Sequence, residues 1–336
     1  MKYLLEPSPT MISVSKYAFV LILISLVLVN VTAAMGQTRW TRFGSAPILP
    51  TPSWAPGGIF RPRAEYDGQT FRMWFSGLDS NGNPSGIGYA TSTDGMKWVE
   101  NTQPVMTAAG TDWEGNYISV GSVIWTGSEF MMWYRGVGGR AGSGQASGGV
   151  GLATSPDGVT WTKYFANPVM IPTVVDSAFI SNPYVIQVGS SYKMWYACSS
   201  SSGLSTTAIC YAASTDGINW VKQSSAVLVG SLPWEVGDLY SPSVIYNGTT
   251  YEMWYTGDNQ TGSSQIGYAT SNDGIAWTPS SNNPIFGAGP AGAWDAGGVG
   301  NQCVVQFGGG FLLYYTGYGT SKTSLDYIGL LQSSGG

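Results

Sequence analysis

The seven residues Tyr251 to Gly257 read YEMWYTG, and near-copies stand at Phe71 to Gly77 (FRMWFSG), Phe130 to Gly136 (FMMWYRG), Tyr192 to Cys198 (YKMWYAC) and Phe311 to Gly317 (FLLYYTG). A repeat of about sixty residues constrains a fold strongly, because one such unit cannot bury its own apolar faces and must stack on its neighbours. Each unit continues into a second recurring stretch: GYATSTDGMKW (Gly88 to Trp98), GLATSPDGVTW (Gly151 to Trp161), CYAASTDGINW (Cys210 to Trp220) and GYATSNDGIAW (Gly267 to Trp277). Asp-Gly between two strand-like runs predicts a hairpin, since both residues tolerate positive φ. Four strands per unit and five units predict an all-β fold, a five-bladed β-propeller with four antiparallel strands per blade.

The fifth unit ends after YIGLLQSSGG (Tyr327 to Gly336) without an Asp-Gly turn or a Trp strand. The missing piece stands at the other end, where RWTRFGSAPIL (Arg39 to Leu49) matches TWTKYFANPVM (Thr160 to Met170). The N-terminal strand is therefore expected to close the last blade and leave no free sheet edge between the first and last units. No linker interrupts residues 37–336, which read as a single propeller domain. Before it, Lys2, Lys16 and the apolar run Ala18 to Val29, followed by small residues, predict a signal peptide over residues 1–36, the alternative being an uncleaved N-terminal anchor that keeps the domain outside the cell.

Composition narrows the chemistry. The chain has no His, which removes imidazole bases, Ser-His-Asp triads and His-ligated zinc. A formal charge of −5 excludes nucleic acid as the main partner, and a membrane enters only through the N-terminal segment. All of the 14 Trp except Trp125 fall in three recurring columns, Trp74–Trp133–Trp195–Trp254, Trp40–Trp98–Trp161–Trp220–Trp277 and Trp54–Trp113–Trp234–Trp294, and so read as packing between sheets. Cys198 and Cys210 replace Gly in two columns of one blade only, on adjacent strands, and predict a disulfide in an oxidising, secreted setting; Cys303, on an innermost strand, reads as a buried thiol.

The pattern P-x-V-I-x-x-G-x-x-Y-x-M-W-Y-x-G followed by I-G-Y-A-T-S-x-D-G-x-x-W and N-P-V resembles the five-bladed propellers of glycoside hydrolase families 32, 43, 68 and 130, over essentially all of residues 37–336. The resemblance implies catalytic acids at the start of innermost strands, beside a Pro: an Asp just before it as base or nucleophile, a second Asp before it in the next blade, and a Glu two before it as acid. Here that anchor column is Pro62, Gly121, Pro183, Pro242 and Gln302. Just before it stand Arg61, Val120, Asn182, Ser241 and Asn301, and two before it Phe60, Ser119, Ser181, Tyr240 and Gly300, none of them acidic.

Function is expected on the rim whose loops vary, around an axial funnel. Seven residues before the anchor come Glu114, Asp176, Glu235 and Asp295, with Ala55 in the first blade. These acids read either as a ring able to hold calcium or supply paired acids, or as caps of a recurring loop. Asp238 departs from its column (Gly58, Tyr117, Phe179, Gly298). Asp238 and Glu235 are the candidate acid and base for a glycosidic bond, with Arg61, Tyr240, Asn182, Asn301 and Tyr117 placed to hold a sugar. Arg63 and Glu65 alternate with Arg61 along one strand and read as sharing its face, either in that funnel or in an Arg–Glu network with Arg72 and Arg135. No cofactor beyond calcium is implied. The expected function is a secreted carbohydrate-active enzyme; the rival is a propeller that binds glycans or builds a surface without catalysis.

Overall fold

The computed structural model describes residues 39–110, 113–115, 117–138, 148–176, 179–199, 207–259, 263–321 and 324–333. The predicted leader at residues 1–36 and much of the two loops Gly136 to Gly149 and Cys198 to Ala208 lie outside them. The described residues form five sheets, each with four antiparallel strands running outward from the axis, one sheet carrying a short extra strand. Blade 1 is Gly58–Tyr66, Phe71–Leu78, Pro84–Ser92 and Val99–Glu100, with Met106–Thr107 also paired to its third strand. Blade 2 is Tyr117–Trp125, Phe130–Val137, Gly149–Ser155 and Thr162–Lys163; blade 3 is Ile180–Val188, Ser191–Ser199, Thr207–Ser214 and Val221–Lys222. Blade 4 is Asp238–Tyr246, Tyr251–Asp258, Gln265–Ser271 and Thr278–Pro279. Blade 5 takes Gly298–Phe307, Gly310–Tyr318 and Tyr327–Ser333 from the C-terminal end and Trp40–Arg42 from the N-terminal end, with Trp40 opposite Ser333. The inner strands contact one another in chain order and the fifth returns to the first, so the ring is closed.

The MWY strand joins neighbouring blades. Trp74 Nε1 donates to Gly158 O at 2.7 Å, Trp133 to Gly217 O at 2.8 Å and Trp195 to Gly274 O at 2.8 Å, each reaching the Asp-Gly turn of the following blade. Blade 5 has Tyr314 in that column, and its hydroxyl donates to Gly95 O of blade 1 at 2.9 Å. Trp254 is the exception: it keeps the edge-on contact, here with Trp40, that Trp74, Trp133 and Trp195 make with Trp161, Trp220 and Trp277, but it faces the closing seam, where the N-terminal strand brings no such turn. The turn itself differs from the expected tight hairpin. Six residues separate the strands, only the Gly takes positive φ (72° at Gly95), and Asp94 stays in the ordinary region with its carboxylate accepting from the amides of Met96 and Lys97.

The third Trp column explains the cysteines. Trp54 lies so close over Gly77 that a Cβ there would stand 2.1 Å from the ring, and the same holds at Gly136 under Trp113, Gly257 under Trp234 and Gly317 under Trp294. Blade 3 has Val175 where the others have Trp, and the space is filled by the Cys198–Cys210 disulfide, with Cα atoms 5.9 Å apart. Gly77→Ala is therefore expected to lose about 1–3 kcal/mol through overpacking. Trp54→Val combined with Gly77→Cys and Gly88→Cys should form a second disulfide, read by thiol titration and by melting with and without reductant. Three free thiols in the denatured triple variant, counting Cys303, in place of one would show that the two fillings are not interchangeable.

Candidate functional site

The four recurring acids are locks within single blades. Glu114, Asp176, Glu235 and Asp295 are at most 1% exposed. Each reaches the tyrosine of its own MWY strand: Tyr196 Oη donates to Asp176 Oδ1 at 2.8 Å, Tyr255 to Glu235 Oε2 at 2.8 Å and Tyr315 to Asp295 Oδ2 at 3.0 Å, while Tyr134 faces Glu114. Burial first, and then the acid beside it, pushes each of these phenols up. Three locks are completed by a cation from the outer strand: Lys163 to Glu114 at 2.7 Å, Lys222 to Asp176, and Arg42 to Asp295 at 2.9 Å. Blade 1 lacks acid and phenol together, with Ala55 and Phe75 in their places. The calcium ring of Glu114, Asp176, Glu235 and Asp295, and the catalytic reading of Glu235, are thereby corrected: these carboxylates are sealed in separate blades, tied to side chains and loop amides. Among the described residues no group of three or more acidic or Cys side chains is arranged to hold a metal.

The axial site is made by an irregularity in the inner strands. Arg61, Asn182, Ser241 and Asn301 have φ of 54°, 50°, 51° and 52°, and pairing with the second strand skips a residue pair at each. Left-handed backbone at non-Gly residues costs about 1–3 kcal/mol each and clusters where a side chain must be aimed. The four side chains meet on the axis. Asn182 Nδ2 donates to Ser241 Oγ and, at 3.2 Å, to Asn301 Oδ1; Ser241 Oγ also donates to Asn301 Oδ1. Asn301 Nδ2 donates to Tyr318 Oη at 2.7 Å. Arg61 donates from Nη1 to Ser119 Oγ at 2.7 Å and from Nη2 to Asn182 Oδ1 at 3.0 Å. In blade 2 the irregularity falls at Gly121, where a Cβ would stand 2.5 Å from Pro183 Cγ.

That same irregularity corrects the grouping of Arg61, Arg63 and Glu65 on one face, because the extra residue breaks the alternation of sides. Arg63 is buried beneath the funnel floor and donates to the carbonyls of Gly121, Pro62 and Gln302. Glu65 lines a cavity of about 390 Å³ at the hairpin rim with Arg63, Trp125, Tyr184 and Cys303. Arg72 pairs with Asp67, and Arg135 stands at the opposite rim over Phe179, so the proposed Arg–Glu network is not formed. Burial pushes the Glu65 carboxyl up to about 8, opposed by the Trp125 amide and the Arg72 charge.

Two charge zones flank the floor. On the blade 4 and 5 side, Asp238 and Asp258 are directly opposite each other across two antiparallel strands. Asp238 Oδ1 accepts from Thr207 N at 2.7 Å and Thr207 Oγ1 at 2.9 Å; Asp258 accepts from Ser264 Oγ, which contacts Tyr240 Oη at 2.9 Å. Asp326 closes this side, its carboxyl pushed up to about 6 by burial. The Tyr318 phenol is raised well above its ordinary range, by burial first and then by Tyr240, Asp326 and Asp258. On the blade 1 and 2 side are Arg61 and Arg135. Burial, then Arg135, pushes the Arg61 guanidinium down to about 9, and burial lowers Arg135 as well. Tyr117 opens its strand at the same level in blade 2, half-buried, and joins none of these bonds among the described residues.

Sequence reasoning reached Asp238, Arg61, Asn182, Tyr240 and Asn301, which the structure gathers, and missed Ser241, Asp258, Tyr318 and Asp326. The signal was available. Asp326 stands in a column of Ser85, Gly148, Thr207 and Ser264, and Asp258 in one of Leu78, Val137, Ser199 and Tyr318.

A closed five-bladed ring, with its individual polar residues collected at one axial mouth, defines a β-propeller of the glycoside hydrolase type. Residues 73–241 match the glycosyl hydrolases family 32 N-terminal domain, and the chain belongs to that family. It is 27% identical over 302 residues to Uncharacterized protein MT1551 of Mycobacterium tuberculosis (strain CDC 1551 / Oshkosh), covering 88% of this chain and 95% of that protein. A solved glycoside hydrolase superposes with a TM-score of 0.72 at 14% identity over 96% of both chains. A structure from the GH130 family of mannoside phosphorylases, described as containing glycoside hydrolases that target beta-1,2 mannosidic linkages in Candida mannan, superposes at 0.64 with 16% identity, over 87% of this chain and 93% of that one. At these identities the two structures establish the fold.

Asp176→Ala leaves the 11%-exposed Lys222 side chain without its carboxylate and is expected to cost about 3–5 kcal/mol by denaturant unfolding. Adding Tyr196→Phe and Lys222→Met, which carries the lock toward the apolar state of blade 1, should restore much of that loss. Glu65 gives a pH signature. Its folded carboxyl holds a proton up to about pH 8 while the unfolded one releases it near the ordinary 4.5. The folded state therefore binds more protons across that window, and stability falls as pH rises through it. Glu65→Gln should melt like wild type at pH 4 and higher than wild type at pH 8; equal melting at both would disprove the shift.

Proposed function

We propose that the axial mouth binds a carbohydrate and hydrolyses a glycosidic bond, with Asp326 as acid and the facing Asp238 and Asp258 as the opposing carboxylates. The observation that carries this reading is the meeting of three non-repeating carboxylates around Tyr240 and Tyr318 on a glycoside hydrolase-type ring. Burial holds the Asp326 proton to about pH 6, as a general acid working near neutrality requires. Asp238 is fixed by two bonds from Thr207. In hydrolysis the bond from C1 to the leaving oxygen breaks as that oxygen takes the Asp326 proton. Water adds at C1 and gives its proton to the opposing carboxylate. Asn182, Asn301, Tyr240 and Arg61 would hold sugar hydroxyls at the floor.

A second reading, binding without turnover, is favoured by one observation: the residues turned onto the axis are Arg61, Asn182, Ser241 and Asn301, with no carboxylate among them. Secretion belongs to the same proposal. The apolar N-terminal run and the Cys198–Cys210 disulfide fit an oxidising, extracytoplasmic setting.

Hydrolysis of arabinan, xylan, fructan and mannan oligosaccharides by the purified chain tests the proposal. On an accepted substrate, Asp326→Asn and Asp238→Asn should each lower kcat by about 100- to 10,000-fold, and wild-type kcat/KM should fall as pH rises through about 6, where Asp326 of the free protein loses its proton. Wild-type rates in both variants would remove the assignment, and binding without turnover across the panel would establish the second reading.

A further inference from the structure

Half of the buried or half-buried cations among the described residues have a carboxylate, and Lys193 lies instead over the rings of Tyr211 and Tyr251. Arg42, Arg72, Lys163 and Lys222 are paired with Asp295, Asp67, Glu114 and Asp176. No carboxylate among the described residues pairs with Arg61, Arg63 or Arg135. Arg63 is held by three backbone carbonyls, whereas Arg61 keeps a buried Nε with no hydrogen-bond partner, and Arg135 lies over the Phe179 ring at 5.4 Å and has no hydrogen bond from its guanidinium among the described residues. The two belong together. Arg135 lies directly across the strand pair from Ser119, and Ser119 Oγ accepts from Arg61 Nη1.

The positions are also individual. Arg135 occupies a column that otherwise holds Ser76, Ala197, Thr256 and Thr316, and the three hydroxyls accept the inner-strand amides of Val120, Asn301 and Arg61 in the next blade. At Arg135 that stitching hydroxyl is given up for a guanidinium beside the mouth. Two cations on one side of the mouth, partly desolvated and with no paired carboxylate among the described residues, destabilise the empty fold. They are what a site needs if its ligand supplies the negative charge.

We infer that the sugar taken by this funnel bears a carboxylate, and that Arg135 and Arg61 receive it. The inference rests on the carbohydrate reading and narrows it to acidic sugars. A planar carboxylate suits the fork of Arg135, with the Arg61 guanidinium held on the same side through Ser119. Asp238, Asp258 and Asp326 on the other side would repel the same group, so the two zones fix which way round the sugar ring lies. Phe179 and Phe60, each under one guanidinium, keep the cations from turning away.

The test is calorimetric titration at pH 7 and low salt with trisaccharides of galacturonate and glucuronate, their carboxyl-reduced counterparts, and inorganic phosphate. At least one acidic trisaccharide is expected to bind about tenfold or more tightly than its reduced form. Arg135→Met should lower that affinity about 10- to 100-fold, the loss of a charge-assisted bond, and leave the reduced form unchanged. Without ligand, Arg135→Met and Arg61→Met should melt no lower than wild type, because they remove an uncompensated charge; a marked fall in both would mark the arginines as structural and overturn the inference. Equal binding of acidic and reduced forms overturns it too, as does failure of both acidic trisaccharides to bind. Arg135-dependent binding of phosphate alone, as tight as any sugar, would make the anion a free co-ligand and also overturn it. Acidic binding that survives in Asp326→Asn without turnover in wild type would remove hydrolysis alone; turnover confined to neutral sugars would remove this inference alone.

Discussion

The ring is held by one interaction repeated around it, an indole buried between sheets whose N–H reaches the turn carbonyl of the next blade. Trp74, Trp133 and Trp195 make it, Tyr314 substitutes a phenol, and only Trp254 at the closing seam lacks the turn it would need. Burying an indole contributes about 1.5–3 kcal/mol, and the hydrogen bond prevents a buried polar group from cancelling part of that. Because the contact is made by the second strand, the inner strand is released from packing duty. It can carry an irregularity, and all of the axial geometry follows from that freedom.

The irregularity converts a repetitive scaffold into a single site. In four blades a left-handed residue turns its side chain onto the axis, so that Arg61, Asn182, Ser241 and Asn301, roughly sixty residues apart in sequence, become mutual hydrogen-bond partners. Backbone strain of this kind persists only where surroundings over-determine it. At Arg61 and Asn301 the surroundings include hydroxyls of the preceding blade, Thr316 and Thr256, which accept their amides; at Asn182 and Ser241 the side chains bond to each other. The site is rigid because its floor is stitched between blades.

The fold was legible because its signals are columns, and a column of Trp or of Asp-Gly is read by counting. Even the disulfide was visible as two glycines missing from one blade, though its reason, the absent Trp at Val175, needed the packing of Trp54 over Gly77 to be seen. The same habit misled at Glu114, Asp176, Glu235 and Asp295. A recurring acid serves the recurring scaffold: each faces a tyrosine of its own blade, Glu114, Asp176 and Glu235 also take loop amides, and three of the four take a lysine or arginine. Alternation along an inner strand misled in a different way: it joined Arg61 to Arg63 and Glu65, which a bulge sends to different depths. Asp326 and Asp258 were overlooked because they stand at strand ends, where a column is least conspicuous.

What individual chemistry this ring has is therefore found where a column is broken toward the axis. Asp238, Asp258 and Asp326 break theirs on one side of the mouth, and Arg61 and Arg135 on the other. Opposite charges placed across a mouth and kept from pairing with each other give up the stabilisation that a salt bridge between them would supply. A fold that elsewhere pairs Arg42, Lys163 and Lys222 with buried carboxylates has the means to pair these too. The separation is held by the neutral floor of Asn182, Ser241 and Asn301, whose amides and hydroxyls bond to one another and keep the two charged sides apart across the mouth. Both sides are partly withheld from water, so each acts on a bound group more strongly than at an open surface. A sugar ring seated there would meet carboxyl chemistry at one edge and a cationic grip at the other, and the polarity of the mouth, set by five side chains outside the repeat, would decide its orientation.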